Sequence, residues 1–118
     1  MEKRQILIVN DNEYYLRLIA SVVEHEGIHV QYASSGEEAV EILKESSFST
    51  ILIDLNLPSM GGYELAMLAK ELVPDIEIEM ITSDISPHLS RLAVQAGIFR
   101  VVTKLSEVEQ IIQKMVRG

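Results

Sequence analysis

Thr50-Ile-Leu-Ile-Asp-Leu-Asn-Leu-Pro-Ser-Met-Gly-Gly62 is the stretch that decides how this chain folds. Thr50 to Ile53 are apolar or β-branched throughout, the pattern of a short strand buried on both faces, and the run stops at a carboxylate, Asp54. Pro58 and the Gly61-Gly62 pair bar the continuation of regular structure, so Asp54 to Gly62 reads as a loop at the strand's carboxyl end. In open α/β sheets, ligands bind at that edge. Asp is also a common turn residue, so Asp54 taken alone would serve equally well as a loop-capping acid.

The chain before this stretch repeats its logic. Ile6 to Val9 is a second short apolar run, and it too ends on polar residues, Asn10, Asp11, Asn12 and Glu13. Tyr15, Leu18, Ile19, Val22 and Val23 then fall on one helical stripe that Gly27 closes. Val30 to Ala33 is a weaker strand, interrupted by Gln31 and Ser34, and is expected at the sheet's edge. Ser35 and Glu38 form a capping box for a second helix, whose buried stripe is Ala39, Ile42 and Leu43. Its acids, Glu37, Glu38, Glu41 and Glu45, read as the solvated face.

Beyond Gly62 the same alternation continues. Leu65, Leu68, Ala69 and Leu72 form a third helical stripe ended by Pro74, and Ile76 to Ile81 reads as a fourth strand. Glu77 and Glu79 alternate with apolar residues there, and an unpaired acid inside a covered sheet costs several kcal/mol. Glu79 is therefore expected either in water near the strand end or against a cation, with Arg100 on the next strand as the candidate. Ser86-Pro87 opens a fourth helix carrying Leu89, Leu92, Ala93 and Ala96, Phe99 to Thr103 reads as a fifth strand, and Ser106 with Glu109 caps a fifth helix. Met60, Met67, Met80 and Met115 read as core or loop filler, and His25, His29 and His88 as surface residues.

The 118 residues suit one domain, residues 1–118, and no output domain is expected after the fifth helix. With no cysteine there is neither a disulfide frame nor a thiolate metal site. The apolar run after Met1-Glu-Lys-Arg-Gln5 is too short for a signal peptide or membrane span, so a cytoplasmic protein with no membrane partner is expected. A net charge of −8, with only ten scattered Lys and Arg residues, argues against direct nucleic-acid binding.

Five strands alternating with five helices make a parallel α/β sandwich with helices on both faces, and right-handed crossovers bring every strand's carboxyl end to one edge. Asn10, Asp11, Asp54, Thr82 and Lys104 all sit at such ends. Carboxylates gathered there repel unless a cation relieves them, and an oxygen-only set without His or Cys suits a hard ion, Mg2+ or Mn2+. Lys104 and Thr82 add a positive charge and a hydroxyl donor, which with a metal would hold three phosphoryl oxygens and let Asp54 act as a nucleophile toward phosphorus.

On these residues the chain resembles the receiver domains of two-component response regulators. Asn10-Asp11 is similar to that family's acidic pair, Asp54 to Gly62 to its phosphoacceptor loop with the following Pro and Gly, Thr82-Ser83 to its Thr-Ala, and Ala93 to Gly97 with Lys104 to its Ala, Gly and Lys signature. The resemblance implies a flavodoxin-like (βα)5 three-layer sandwich with strand order 2-1-3-4-5. It implies that Asp54 accepts a phosphoryl group from a sensor histidine kinase or phosphotransfer protein, with Asp11, Asp54 and the Asn56 carbonyl on Mg2+ and Asn10 one shell out. It further implies that Asn56 and Asp84 tune hydrolysis of the acyl phosphate. Thr82 and the residue at Val101 would form the switch read by a downstream output protein or domain on the fourth helix, fifth strand and fifth helix. The domain would be a regulator rather than an enzyme, its only chemistry being its own phosphorylation and dephosphorylation.

Three positions depart from the family pattern: Asn10 where an acid is usual, Leu105 where Pro usually follows the Lys, and Val101 where an aromatic residue is usual. They keep open a second reading, a pseudo-receiver that binds protein through an interface independent of phosphorylation. A metal-dependent phosphohydrolase is disfavoured by Asn56, which stands where such enzymes place a second Asp. A flavin site is disfavoured by the acidic loop 10–13, which lacks the Gly, Ser and Thr of a phosphate cradle.

Overall fold

The computed structural model describes residues 5–14, 16–17, 21, 29–55, 57, 59–81, 91, 95, 97–98 and 100–102. Its strands are β1 (Gln5–Val9), β2 (His29–Ala33), β3 (Thr50–Asp54), β4 (Glu77–Ile81) and β5 (Arg100–Val102). All pair in parallel, in the order β2-β1-β3-β4-β5. The flavodoxin-like arrangement expected from the sequence is therefore present, with β2 at one edge.

Alternation along the strands sends one set of side chains to each face. Leu7, Val9, Ile51, Ile53, Ile78 and Met80 form one core with Ala39 and Leu43 of the helix Gly36–Glu45 and with Leu65, Ala66 and Ala69 of the helix Gly62–Leu72. The other face of the same strands carries Ile6, Ile8 and Leu52, which are also buried. A sheet hidden on both sides needs continuous apolar strands, which is why β1 and β3 show no alternation in sequence.

The helix Gly36–Glu45 begins as its sequence dictates. Ser35 Oγ accepts from the Glu38 backbone N–H at 3.1 Å, satisfying one of the first-turn donors. The Glu38 carboxylate does not return to Ser35. It takes the Ser34 hydroxyl at 3.0 Å and the Ser34 N–H at 3.4 Å, so the box closes one residue earlier. The acids Glu37, Glu38, Glu41 and Glu45 are exposed, as expected.

Three expectations change. Leu72 is 40% exposed, and the stripe of the helix Gly62–Leu72 runs instead through Gly62, Leu65, Ala66 and Ala69. Small residues there let the helix lie close to the sheet, and that rotation turns Leu72 outward. Met67 is 61% exposed rather than filler, whereas Met80 is fully buried and Met60 packs on the core. Glu79 is 2% exposed, which removes the solvated alternative. Its register partner on β5 is Arg100, the cation the sequence suggested, and Glu79 does not stand without an interaction. The capping residues expected at Gly27, Ser86-Pro87 and Ser106 lie outside the described residues. None of the described helices is long and apolar enough to cross a membrane.

Candidate functional site

Asp54 is the last residue of β3, half-buried, with β1 on one side and β4 on the other. Val9 pairs with Ile53, so Asn10 and Asp54 are the next residues along two adjacent strands, and Asp11 follows one step on. On the other flank Asp54 pairs with Ile81, and Ile81 pairs with Val102. The carboxyl ends of β1, β3, β4 and β5 thus share one edge of the sheet, as the crossover rule requires. Thr82, directly after β4, lies outside the described residues, as do Asn56, Asp84, Lys104 and Leu105. Val101 belongs to β5 and stands opposite Met80.

The loop after β1 is built by two asparagines. Asn10 is buried at 5% exposure, its backbone N–H donates to Ala33 O at 3.1 Å, and its Oδ1 accepts from Asn12 N–H at 2.9 Å. Asn12 Oδ1 in turn accepts from Tyr14 N–H at 3.0 Å, while its carbonyl takes Leu16 N–H at 3.1 Å and starts the helical segment at Glu13. These are consecutive side-chain turns, the second doubling as a helix cap. Asp11 stands exposed at the centre of the first. The capping role of Asn12 was missed in the sequence reading, although an Asn three positions before a helical stripe is a signal for it.

The loop after β3 is clamped from both ends. Leu55 N–H donates to Ile81 O at 3.0 Å, and Gly62 N–H donates to Leu55 O at 3.2 Å. A Cβ on Gly62 would stand 2.8 Å from Leu55 Cα and 3.0 Å from Asp54 O, so only glycine lets the following helix approach the peptide after Asp54. Ser59 adopts φ 58° and donates from Oγ to Glu37 at 3.2 Å, tying the loop to the helix Gly36–Glu45. Met60 covers Gly36 so closely that a Cβ there would meet its sulfur at 2.8 Å. Ser59, Met60 and Gly36 carried no sequence signal for this contact, because it joins segments more than twenty positions apart.

The chemistry of the donors suits a hard cation. Asp11 and Asp54 offer carboxylate oxygen only, and no group of three or more His, Cys, Asp or Glu gathers among the described residues. A hard cation such as Mg2+ is typically bound through one or two carboxylates with water completing its shell, so Asp11 and Asp54 could hold one.

A family model, the response regulator receiver domain, matches residues 6–116. The chain belongs to the response regulator receiver domain family. The receiver protein CpdR of Brucella abortus is 38% identical over 79 residues, covering 67% of this chain and 66% of that protein. The transcriptional regulatory protein YkoG of Bacillus subtilis is 28% identical over 98% of this chain and 50% of its own length. The receiver domain thus spans about half to two thirds of these relatives. Among solved structures, a CheY-like receiver domain protein from Methanospirillum hungatei superimposes with a TM-score of 0.89 at 27% identity, covering 98% of this chain and 95% of the other. A Burkholderia pseudomallei response regulator, solved with a phosphorylated aspartic acid and a calcium ion, has a TM-score of 0.86 at 28% identity, covering 93% of this chain and 65% of the other. The receiver domain is thus part of two-component signalling, with the flavodoxin-like fold of that family.

Proposed function

We propose that this receiver domain accepts a phosphoryl group on Asp54 from the phosphohistidine of a sensor kinase or phosphotransfer protein. What supports the reading is the place of Asp54: a carboxylate at the end of a central strand, beside the turn that presents Asp11. An Asp54 carboxylate oxygen attacks phosphorus, a P–O bond forms, the P–N bond breaks, and the imidazole leaves with the electron pair. Bound Mg2+ would neutralise charge on the transferring oxygens, with Asp11, Asp54 and the Asn56 carbonyl as its protein ligands.

Thr82 and Lys104, which come after β4 and β5 in the sequence, would supply a hydroxyl and an ammonium to the remaining phosphoryl oxygens. Water later cleaves the acyl phosphate, regenerating Asp54 and releasing phosphate, at a rate that Asn56 and Asp84 tune. The added charge draws Thr82 inward. With Val101 in place of an aromatic residue, that movement is read by an output partner on the fourth helix, fifth strand and fifth helix without a ring changing rotamer.

Incubation with acetyl phosphate and Mg2+, followed by intact-protein mass measurement, tests this. The expected result is a single phosphoryl adduct that needs Mg2+ and is lost in Asp54→Ala. A folded wild-type protein that never gains the adduct would instead make the domain a phosphorylation-independent binding module.

A further inference from the structure

We infer that Asn10 is the positioning residue for Asp11, holding the carboxylate in place through a backbone turn instead of contributing a charge or a metal ligand of its own; this rests on the phosphoacceptor reading above. The partner of the Asn10 side chain is a backbone N–H, so the bonded atom has to be the amide oxygen. The ring it closes, from Asn10 Oδ1 to Asn12 N at 2.9 Å, encloses Asp11. The other end of Asn10 is anchored by its own N–H on Ala33 O of β2. Asn10 is therefore buried and held at both ends, while Asp11 remains exposed between it and the Asn12 cap.

The turn is closed by the neighbour's amide, which leaves the Asp11 carboxylate available to a cation. An acid at position 10 would close the same turn but bring a second negative charge into a buried place. Asn closes it without charge, so the orientation of Asp11 is secured even though the crevice holds one carboxylate fewer. Residues that orient a metal's ligands without touching the ion are worth about 10–100-fold in affinity.

The test is Mg2+ titration of the whole chain by calorimetry, with no phosphodonor, together with hydrogen exchange at the Asn12 amide. Asn10→Gln keeps the amide chemistry but is one methylene too long for the turn, whereas Asn10→Ser keeps a short acceptor. In Asn10→Gln and Asn10→Ala, Asn12 exchange should speed up and the Mg2+ dissociation constant rise about tenfold. Asn10→Ser should stay within about threefold of wild type on both. Asn10→Gln binding Mg2+ as tightly as wild type overturns the positioning role, and if Asp54→Ala still abolishes binding, the phosphoacceptor reading stands. Asn10→Ser as weak as Asn10→Ala also overturns it. A wild-type chain that takes up no Mg2+ overturns both.

Discussion

Replacing Glu79 should destabilise the domain severely, and replacing its register partner as well should undo most of the damage. The acid is 2% exposed on an inner strand, with Leu52 opposite it on β3 and Arg100 opposite it on β5. A buried carboxylate keeps its charge only against a cation, and stripping one member from a buried pair typically costs about 3–5 kcal/mol. Since β5 closes the edge of the sheet, the low end of that range applies.

Glu79→Leu should therefore cost about 3 kcal/mol, a large part of the roughly 5–15 kcal/mol that holds a domain together. For a domain of this size that lowers Tm by roughly 10–15 °C. Urea unfolding of wild type, Glu79→Leu, Arg100→Leu and the double variant gives the coupling directly. The double variant should lie within about 1 kcal/mol of wild type, because a packed apolar pair replaces a buried ionic one at little cost. Strictly additive single effects would show that Glu79 draws its compensation from elsewhere, and the assignment to Arg100 would fall.

Two further predictions concern the frame of the site. Ser35→Ala removes the acceptor for Glu38 N–H and should cost about 1 kcal/mol by urea denaturation, with Ser35→Asp close to neutral; equal losses in both would mean that the cap is not what stabilises the helix. Gly62→Ala puts a Cβ 2.8 Å from Leu55 Cα and should cost about 1–3 kcal/mol while slowing acetyl phosphate labelling, because the peptide next to Asp54 has to move. Unchanged stability and labelling would show that the loop 55–61 yields freely.

Much of this protein was legible before folding because its information is periodic and local. Continuous apolar runs that give way to Asn10-Asp11 after Val9 and to Asp54 after Ile53, helical stripes between them, and the Ser35 cap all depend on residues within a few positions of each other. Adding the single hand of crossover connections turns that list of elements into a sheet whose strand ends meet at one edge, with β1 beside β3.

What only the tertiary structure decided concerns direction and pairing. Which way the helix Gly62–Leu72 rolls, burying Ala66 and exposing Met67 and Leu72, depends on how closely it packs on the sheet. The bridge from Ser59 to Glu37 and the seat of Met60 on Gly36 join segments that sequence spacing does not relate. Asn10 shows the difference most plainly. Sequence presents it as an acid lost from a pair, whereas the fold gives its oxygen to a backbone N–H and makes it the brace of the turn that holds Asp11. A polar side chain's partner is chosen by distance and burial, and neither quantity exists until the chain has closed on itself.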